Sequence, residues 1–287
     1  MERDDYELID AGDGRRLERW GPRVVDRPAP AATEPALDPG AWTEPDLAFH
    51  RYVGWQPADV DPWTVRLDDC VLELRTTEAG QLGAFPEQRG NWAWVAERVG
   101  ALVASRPDAA EPPAVLNLFG YTGGTTLAAA RAGAAVAHVD ASRPAVAWAR
   151  RNAELSGLGD RPVRWLVDDA ESFVGREVRR GRRYDGIVLD PPSYGHGRGG
   201  RAWRLEERLT GLLDAVASVS APGAFVLLTA HTPGFDAEAL ASELAVAFRL
   251  AARDVERGSM ALTATSGATL ELGSLARWPR SARRMPR

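Results

Sequence analysis

Residues 115–140 read VLNLFGYTGGTTLAAARAGAAVAHVD, and this stretch decides the fold. The run from Val115 to Phe119 is largely apolar and needs cover on both faces, which a parallel sheet provides. Gly120, Gly123 and Gly124 follow, where the backbone can turn sharply and let a ligand come close. The alanine-rich segment after them reads as a helix with small residues on one side, and a second strand then ends in Asp140. A carboxylate at that strand end is where such units bind the two hydroxyls of a ribose. Farther along, residues 184–194, YDGIVLDPPSY, form another buried strand that runs into Asp190-Pro191-Pro192-Ser193. The two stretches together point to chemistry on a substrate held beside an adenosine-containing ligand.

Outward from this unit, strands and helices alternate. Strands are expected at 114–119, 135–140, 163–167, 184–190 and 224–230, with two more near 251–258 and 268–275. Helices are expected at 124–133, 143–156, 170–181, 203–219 and 235–247. Such alternation with short links predicts an α/β fold, a doubly wound, Rossmann-like sheet with helices on both faces. Right-handed crossovers then bring the carboxyl ends of the first and fourth strands to one rim. The last two strands are close enough in sequence to pair as a hairpin.

Residues 1–107 read differently, as a small β-rich N-terminal domain with a helix leading into the second domain at 108–280. Tyr6 to Asp26 is turn-rich, and 27–45 is dense in proline and alanine. The segment 63–76, WTVRLDDCVLELRT, alternates in a way that fits two short strands joined at Asp68-Asp69. Residues 91–105 have helical spacing, closed by Arg106-Pro107 and Pro112-Pro113.

Composition removes several classes. With 287 residues, 45% hydrophobic and 26% charged, the chain is an ordinary globule. Its net charge of −5 gives no general attraction to nucleic acid, so any basic surface must be local. The opening MERDDYELID has no apolar signal core, and no apolar run is long enough for a bilayer, so a cytoplasmic protein away from membranes is expected. All 35 basic residues are arginine. Without lysine there is no Walker P-loop and no Schiff-base chemistry. Cys70 is the only cysteine, which excludes internal disulfides and cysteine-cluster metal sites. His50, His138, His196 and His231 lack metal-ligand spacing, so no metal is expected.

The glycine loop fails the dinucleotide fingerprint, because Gly120-x-x-Gly123-Gly124 lacks the Gly-x-Gly pair. A diphosphate wants several N–H groups converging at a helix start. A loop carrying Tyr121 and Thr122 better suits a ligand without phosphates, such as S-adenosylmethionine. The carboxylate of that molecule would accept N–H bonds from the loop, and its ammonium would face carbonyls near Asn117 and Gly120.

At this point the residues resemble a family. Asn117-Leu-Phe-Gly-Tyr-Thr-Gly123, Val139-Asp140-Ala141-Ser142, Asp168-Asp169-Ala170 and Asp190-Pro-Pro-Ser193 are similar to the successive motifs of class I S-adenosylmethionine-dependent methyltransferases. They are most similar to the bacterial large-subunit ribosomal RNA methyltransferase group, which includes cytosine carbon-5 and guanine N7 enzymes. The segment Gly83-Ala-Phe85-Pro-Glu-Gln88-Arg-Gly-Asn91 resembles that group's stretch before the domain, which lies over the cofactor. The resemblance runs over roughly residues 80 to 275. It implies a seven-stranded methyltransferase sheet, S-adenosylmethionine as cofactor and ribosomal RNA as partner. It puts Asn117, Phe119, Gly120, Tyr121, Thr122 and Gly123 under the methionine moiety. It puts Asp140, Ala141 and Ser142 at the ribose, Asp169 and Ala170 at the adenine amino group, and Phe85, Gln88 and Asn91 over the ligand. The residues alone leave rivals open: Asp140 and Asp169 could each cap a following helix, and Gln88 and Asn91 could cap one starting at Trp92.

Methyl transfer needs an acceptor electron pair at attack distance and water kept out. Asp190, Pro191, Pro192 and Ser193 are the expected catalytic corner, a carboxylate on a backbone that proline stiffens. Tyr194 could stack on a base. Methylating cytosine carbon-5 requires a thiolate to add to the ring first. The region after the fifth strand reads LLTAHTPG at 227–234, with no cysteine. Nitrogen or oxygen methylation is therefore expected, at a base nitrogen of ribosomal RNA. Methylation of a small molecule or a protein side chain, or an inactive RNA-binding factor on the same fold, are the alternatives. His196 and His231 fall on the expected rim, where either could take a proton or be a plain loop residue. His138 reads as a core histidine. Arg198 and Arg201, with Tyr194 and His196, are the candidate substrate contacts, and their glycine-rich loop with Trp203 could grip phosphates and stack a base. The arginines at 176–183 read as a solvated helix end.

Overall fold

The computed structural model of the protein describes residues 5–196 and 202–279, and it divides into two compact units. One comprises residues 1–89, 151–159 and 260–272; the other comprises 90–150, 160–259 and 273–287.

In the first unit, β1 (Tyr6–Gly12), β2 (Arg15–Trp20), β3 (Arg23–Pro28), β4 (Leu47–His50) and β5 (Gly54–Gln56) form a five-stranded sheet in that order. The segment read as turn-rich is thus a three-stranded meander. Its first turn is Asp13-Gly14, both with positive φ, the chemistry of a two-residue hairpin. β6 (Trp63–Leu67) and β7 (Cys70–Leu74) pair through Asp68-Asp69 as expected. Inside lies a buried ionic group. Arg27 donates to both carboxylate oxygens of Glu18 at 2.5 and 3.1 Å, Tyr6 donates at 3.0 Å, and Arg16 Nε lies 3.6 Å away. Burial would raise the Glu18 carboxyl, but Arg16 and Arg27 outweigh it and hold it at about 2.

An apolar cluster of Leu8, Ala11, Ala29 and Ala32 is completed by Ala264 and Leu270, from far along the chain. The same late segment bonds to β1: Thr265 N–H donates to the Leu8 carbonyl at 2.9 Å and Ser266 N–H to that of Ile9 at 3.1 Å. A shift in the β1–β2 register between Leu8 and Asp10 leaves Ile9 without a partner in β2.

The second unit carries a seven-stranded sheet. Its strands are β8 (Ala114–Leu118), β9 (Ala135–Asp140), β10 (Val163–Val167), β11 (Tyr184–Leu189), β14 (Ser220–Ala230), β15 (Glu256–Thr263) and β16 (Thr269–Trp278). A small antiparallel pair, β12 (Tyr194–His196) and β13 (Ala202–Arg204), stands outside it. The order is β10-β9-β8-β11-β14-β16-β15, parallel except that β16 runs against β14. Helices α1 (Arg89–Ser105), α2 (Gly124–Arg131), α3 (Arg143–Leu155), α4 (Ala170–Arg179), α5 (Leu205–Ser218) and α6 (Ala237–Phe248) supply the cover.

Alternate strand residues serve opposite layers. Leu116, Leu118, Ile187, Leu189, Val226 and Leu228 pack with residues of α4, α5 and α6. Val115, Val136, Val188, Phe225 and Leu227 pack with Trp94, Val95 and Val99 of α1 and with Ala129 and Ala130 of α2. The chain leaves β8 toward β9 on one side, whereas β11 lies on the other, so the sheet reverses its winding between β8 and β11. A ligand cleft belongs outside the carboxyl ends of strands at such a reversal. Among the described residues, no helix is long and apolar enough to cross a membrane.

Candidate cofactor and acceptor site

The loop between β8 and α2 is folded tightly over the sheet. Phe119 and Tyr121 both take left-handed backbone angles, with φ of 56° and 46°. For residues with a Cβ this costs on the order of 1–3 kcal/mol each, a strain that clusters at ligand sites. Gly120 lies directly on His138, where a Cβ would come within 2.5 Å of the ring. Gly124 packs on the Trp92 ring with no room for a side chain. Gly123, at φ 94°, starts α2 with no side-chain cap, so that helix presents uncapped N–H groups at the loop.

Beneath the loop runs a buried polar chain. Asn117 Nδ2 donates to Thr126 Oγ1 at 2.8 Å, and Thr126 Oγ1 is 2.9 Å from His138 Nδ1. His138 is therefore the core histidine its strand pattern suggested. Burial lowers its pKa to about 4, overcoming the pull of a hydrogen bond to the Tyr121 backbone. The Asn117 amide nitrogen is likewise committed to the core.

Asp140, at the end of β9, accepts from Tyr121 N–H on one oxygen (2.9 Å) and from Ser142 N–H on the other (2.8 Å). Ser142 Oγ, not Asp140, accepts from Ala145 N–H at 3.3 Å in the first turn of α3, which removes the helix-cap reading of Asp140. Burial raises the Asp140 carboxyl, and the two N–H bonds offset this only in part. Each oxygen keeps a second acceptor direction, and the pair suits two neighbouring hydroxyls.

At the end of β10, Asp168 N–H donates to the Asp140 carbonyl at 3.0 Å, and the Asp168 carboxylate pairs with Arg176. Asp169 caps α4, accepting from Ser172 N–H at 2.9 Å. Ala170, next in line, is buried.

Residues 190–193 leave β11 beside the end of β14. The register Leu189↔Leu228 brings Thr229 alongside Asp190, and Thr229 Oγ1 donates to Asp190 Oδ1 at 2.5 Å. His231 Nε2 lies 3.6 Å from the same oxygen. Ser193 Oγ and Thr232 Oγ1 are 2.7 Å apart. Pro191 is buried, while Pro192, Ser193 and Tyr194 are exposed, Tyr194 at 55%.

One expectation is overturned here. Trp203 does not stand on a loose loop ready to stack a base. It is buried, its indole N–H donates to the Pro192 carbonyl at 2.9 Å, and its ring meets Phe119 at 5.3 Å. It is a strut between the glycine loop and the proline corner, and because 202–204 form β13, α5 begins only at Leu205.

Asp140, Ala141, Ser142, Asp169, Ala170, the glycine loop and the Asp-Pro-Pro-Ser corner all stand at or just past carboxyl ends of sheet strands. Phe85 and Gln88 belong to the first unit, where Gln88 N–H donates to the Phe85 carbonyl at 3.0 Å around the short 3₁₀ turn Pro86–Gln88. Asn91 is buried inside the first turn of α1, which starts at Arg89, so it is not at the cap position. The His196 backbone pairs with Ala202. Arg198 and Arg201 lie outside the described residues, as does the His196 side chain. Thr229 and Thr232 were missed in the sequence, since only strand pairing shows that they meet the proline corner. Among the described residues, no group of three or more His, Cys, Asp or Glu could hold a metal ion.

The family profile described as S-adenosylmethionine-dependent methyltransferase matches residues 67–258. A crystal structure of a SAM-dependent methyltransferase from Agrobacterium tumefaciens is similar over 97% of this chain and 91% of its own, with 34% identity and a TM-score of 0.87. A Methylococcus capsulatus protein, ribosomal RNA large subunit methyltransferase K/L, is 36% identical over 122 residues, which are 42% of this chain and 16% of that protein. A Neisseria meningitidis protein, ribosomal RNA large subunit methyltransferase K, is 40% identical over 84 residues, 29% of this chain and 24% of its own length. The chain thus spans no more than about a quarter of either of these two relatives.

Proposed function

The chain belongs to the S-adenosylmethionine-dependent methyltransferase family, and on that footing we propose that it methylates a base nitrogen of ribosomal RNA. The site fits the cofactor on its own geometry. Gly120 and Gly124 let the loop lie directly on His138 and Trp92, and Asp140 offers two oriented acceptors for a vicinal diol. The uncapped start of α2 suits a carboxylate. Asp169 can cap α4 through one oxygen and still meet an adenine amino group, with Ala170 beside it. Asn91, buried in the first turn of α1, is read as part of the cover over the ligand. When bound, S-adenosylmethionine supplies an electrophilic methyl group on a cationic sulfur.

The protein's own task is positioning and exclusion of water. Thr229 and Trp203 fix the Asp190–Ser193 corner, so its carboxylate and carbonyls can accept from the edge of a planar base without reorganising. Tyr194, exposed beside that corner, suits a stacked base, worth about 1–3 kcal/mol. His196, Arg198 and Arg201 are read as further contacts to the RNA. The observation that carries a nitrogen acceptor is the residue at 231. It is a histidine and not a cysteine, and the single cysteine, Cys70, is buried in β7, so this strand end offers no thiolate for carbon-5 chemistry.

Transfer of labelled methyl groups to total RNA, compared with a small-molecule extract and a protein extract, tests this reading. Mass spectrometry of nucleosides from a deletion strain then names the position. Label in RNA, with one N-methylated base missing from the deletion strain, is expected. Label only in the other fractions would move the substrate class.

A further inference from the structure

We propose that Trp203 is a positioning residue with two separable duties: its indole N–H sets the acceptor corner, and its ring supports the cofactor loop. This rests on the reading of 119–123 as the cofactor loop and of Asp190–Ser193 as the acceptor corner. Methyl transfer is an in-line displacement, so its rate falls steeply when the methyl carbon and the attacking electron pair are out of place. A side chain that spans the two subsites therefore governs the chemical step without touching either reacting atom.

Trp203 spans them. It stands in β13, pairs with Gly195 of β12 and is 6% exposed. Its Nε1–H donates to the Pro192 carbonyl at 2.9 Å. Its ring meets that of Phe119 at 5.3 Å, with the two planes tilted by 52°. An indole has one donor and no acceptor, so the N–H is spent on the corner and the contact with Phe119 is apolar alone. That division makes the duties separable. On the corner side, Leu205 N–H donates to the Ser193 carbonyl at 3.2 Å, and Ser193 Oγ lies 2.7 Å from Thr232 Oγ1. Those ties place Ser193, whereas the bond from Trp203 places Pro192, one step nearer to Asp190. On the loop side, Phe119 holds a left-handed φ of 56°, which the surrounding structure must enforce. Trp203 belongs to the buried cluster against which Phe119 packs, together with Leu205 and Leu209 of α5. The strut thus has a rigid base in the core and one contact for each subsite.

Two measurements test the division. In the first, wild type, Trp203→Phe and Trp203→Leu are compared for S-adenosylhomocysteine affinity by calorimetry. The same proteins are assayed for methyl transfer to whichever of the RNA, small-molecule or protein fractions the wild type labels. Trp203→Phe keeps a ring but no donor. Its cofactor affinity should stay within about twofold while kcat falls about tenfold, the order of one hydrogen bond. Trp203→Leu should lose both, with cofactor affinity lower by about fivefold, the order of an aromatic pair. Trp203→benzothienylalanine, which keeps the bicyclic shape and puts sulfur in place of the N–H, should match Trp203→Phe without any repacking. A wild-type kcat in Trp203→Phe and in the sulfur isostere, or equal losses of cofactor affinity in all three variants, overturns the proposal. If only small molecules or proteins take label, the RNA reading fails while the comparison stands on that acceptor. The second measurement needs no acceptor: nitrogen-15 NMR of the full chain, with the Trp203 indole signal identified by its absence from Trp203→Phe. That N–H should exchange slowly with solvent and shift at saturating S-adenosylhomocysteine, and the shift should vanish in Phe119→Ala. A fast-exchanging indole, or one unmoved by the bound ligand, refutes the proposal whatever the activity. No heat of binding in the wild type would sink the cofactor loop itself, and this proposal with it.

Discussion

Asp140 is gripped by two backbone N–H groups from different segments, the glycine loop and the start of α3. Replacing it with alanine removes the diol acceptors and also unties Tyr121. Loss of one hydrogen bond to a charged group costs about 1.5–3 kcal/mol, roughly ten- to a hundred-fold in affinity. Asp140→Ala should therefore erase most of the melting-temperature rise given by S-adenosylmethionine, and equal shifts in both proteins would refute the ribose assignment. His138 makes a second prediction at this scale. Its folded pKa of about 4 lies below the ordinary 6.5. Above pH 6.5 both states hold a neutral ring, and the residue adds no pH dependence. Between 6.5 and 4 the unfolded chain binds a proton that the folded one refuses, so stability falls by about 3 kcal/mol. His138→Asn, which can still bond Thr126, should lower stability at pH 7 yet flatten the decline between pH 6.5 and 4.5 in urea titrations.

At the scale of elements, legibility tracked how plainly burial was written in the residues. β8, β9 and β11 were readable because both faces are covered and the strands are apolar along their length. The glycine loop was readable because Gly120, Gly123 and Gly124 are required by what lies under them: His138, Ala149 and Trp92. The meander β1–β3 was not, because β2 buries Arg16 and Glu18 and so breaks the alternation that marks a strand. Its hairpin signal, Asp13-Gly14, was present and unread. The acceptor side was legible at Asp190 but not at Thr229, Thr232 or Trp203, whose roles exist only once strands pair and β13 folds back. The ion group in β2 and β3 predicts that Glu18→Gln, which leaves two buried guanidinium groups short of a counter-charge, costs about 3–5 kcal/mol in denaturant unfolding. Since Glu18 is held near 2, its contribution should persist down to the ordinary carboxylate range and be lost as pH falls from about 4.5 toward 2.

For the molecule as a whole, the two units are interleaved along the chain. Leu270, near the far end, is 1% exposed in the cluster that also holds Leu8 and Ala29. Leu270→Ala should cost about 2–5 kcal/mol, and the change should be read by probes in residues 6–28 such as Trp20. An unaltered midpoint at those probes would show that the late segment is not part of that core. A consequence concerns birth on the ribosome. The N-terminal strands emerge first, yet the residues that seal their apolar side are polymerised some 250 positions later, a wait of about half a minute at ~10 residues per second. The nascent chain must therefore keep β1 to β3 provisional, or chaperoned, until residues 264–270 have emerged, whereas the parallel strands that carry the glycine loop can settle well before.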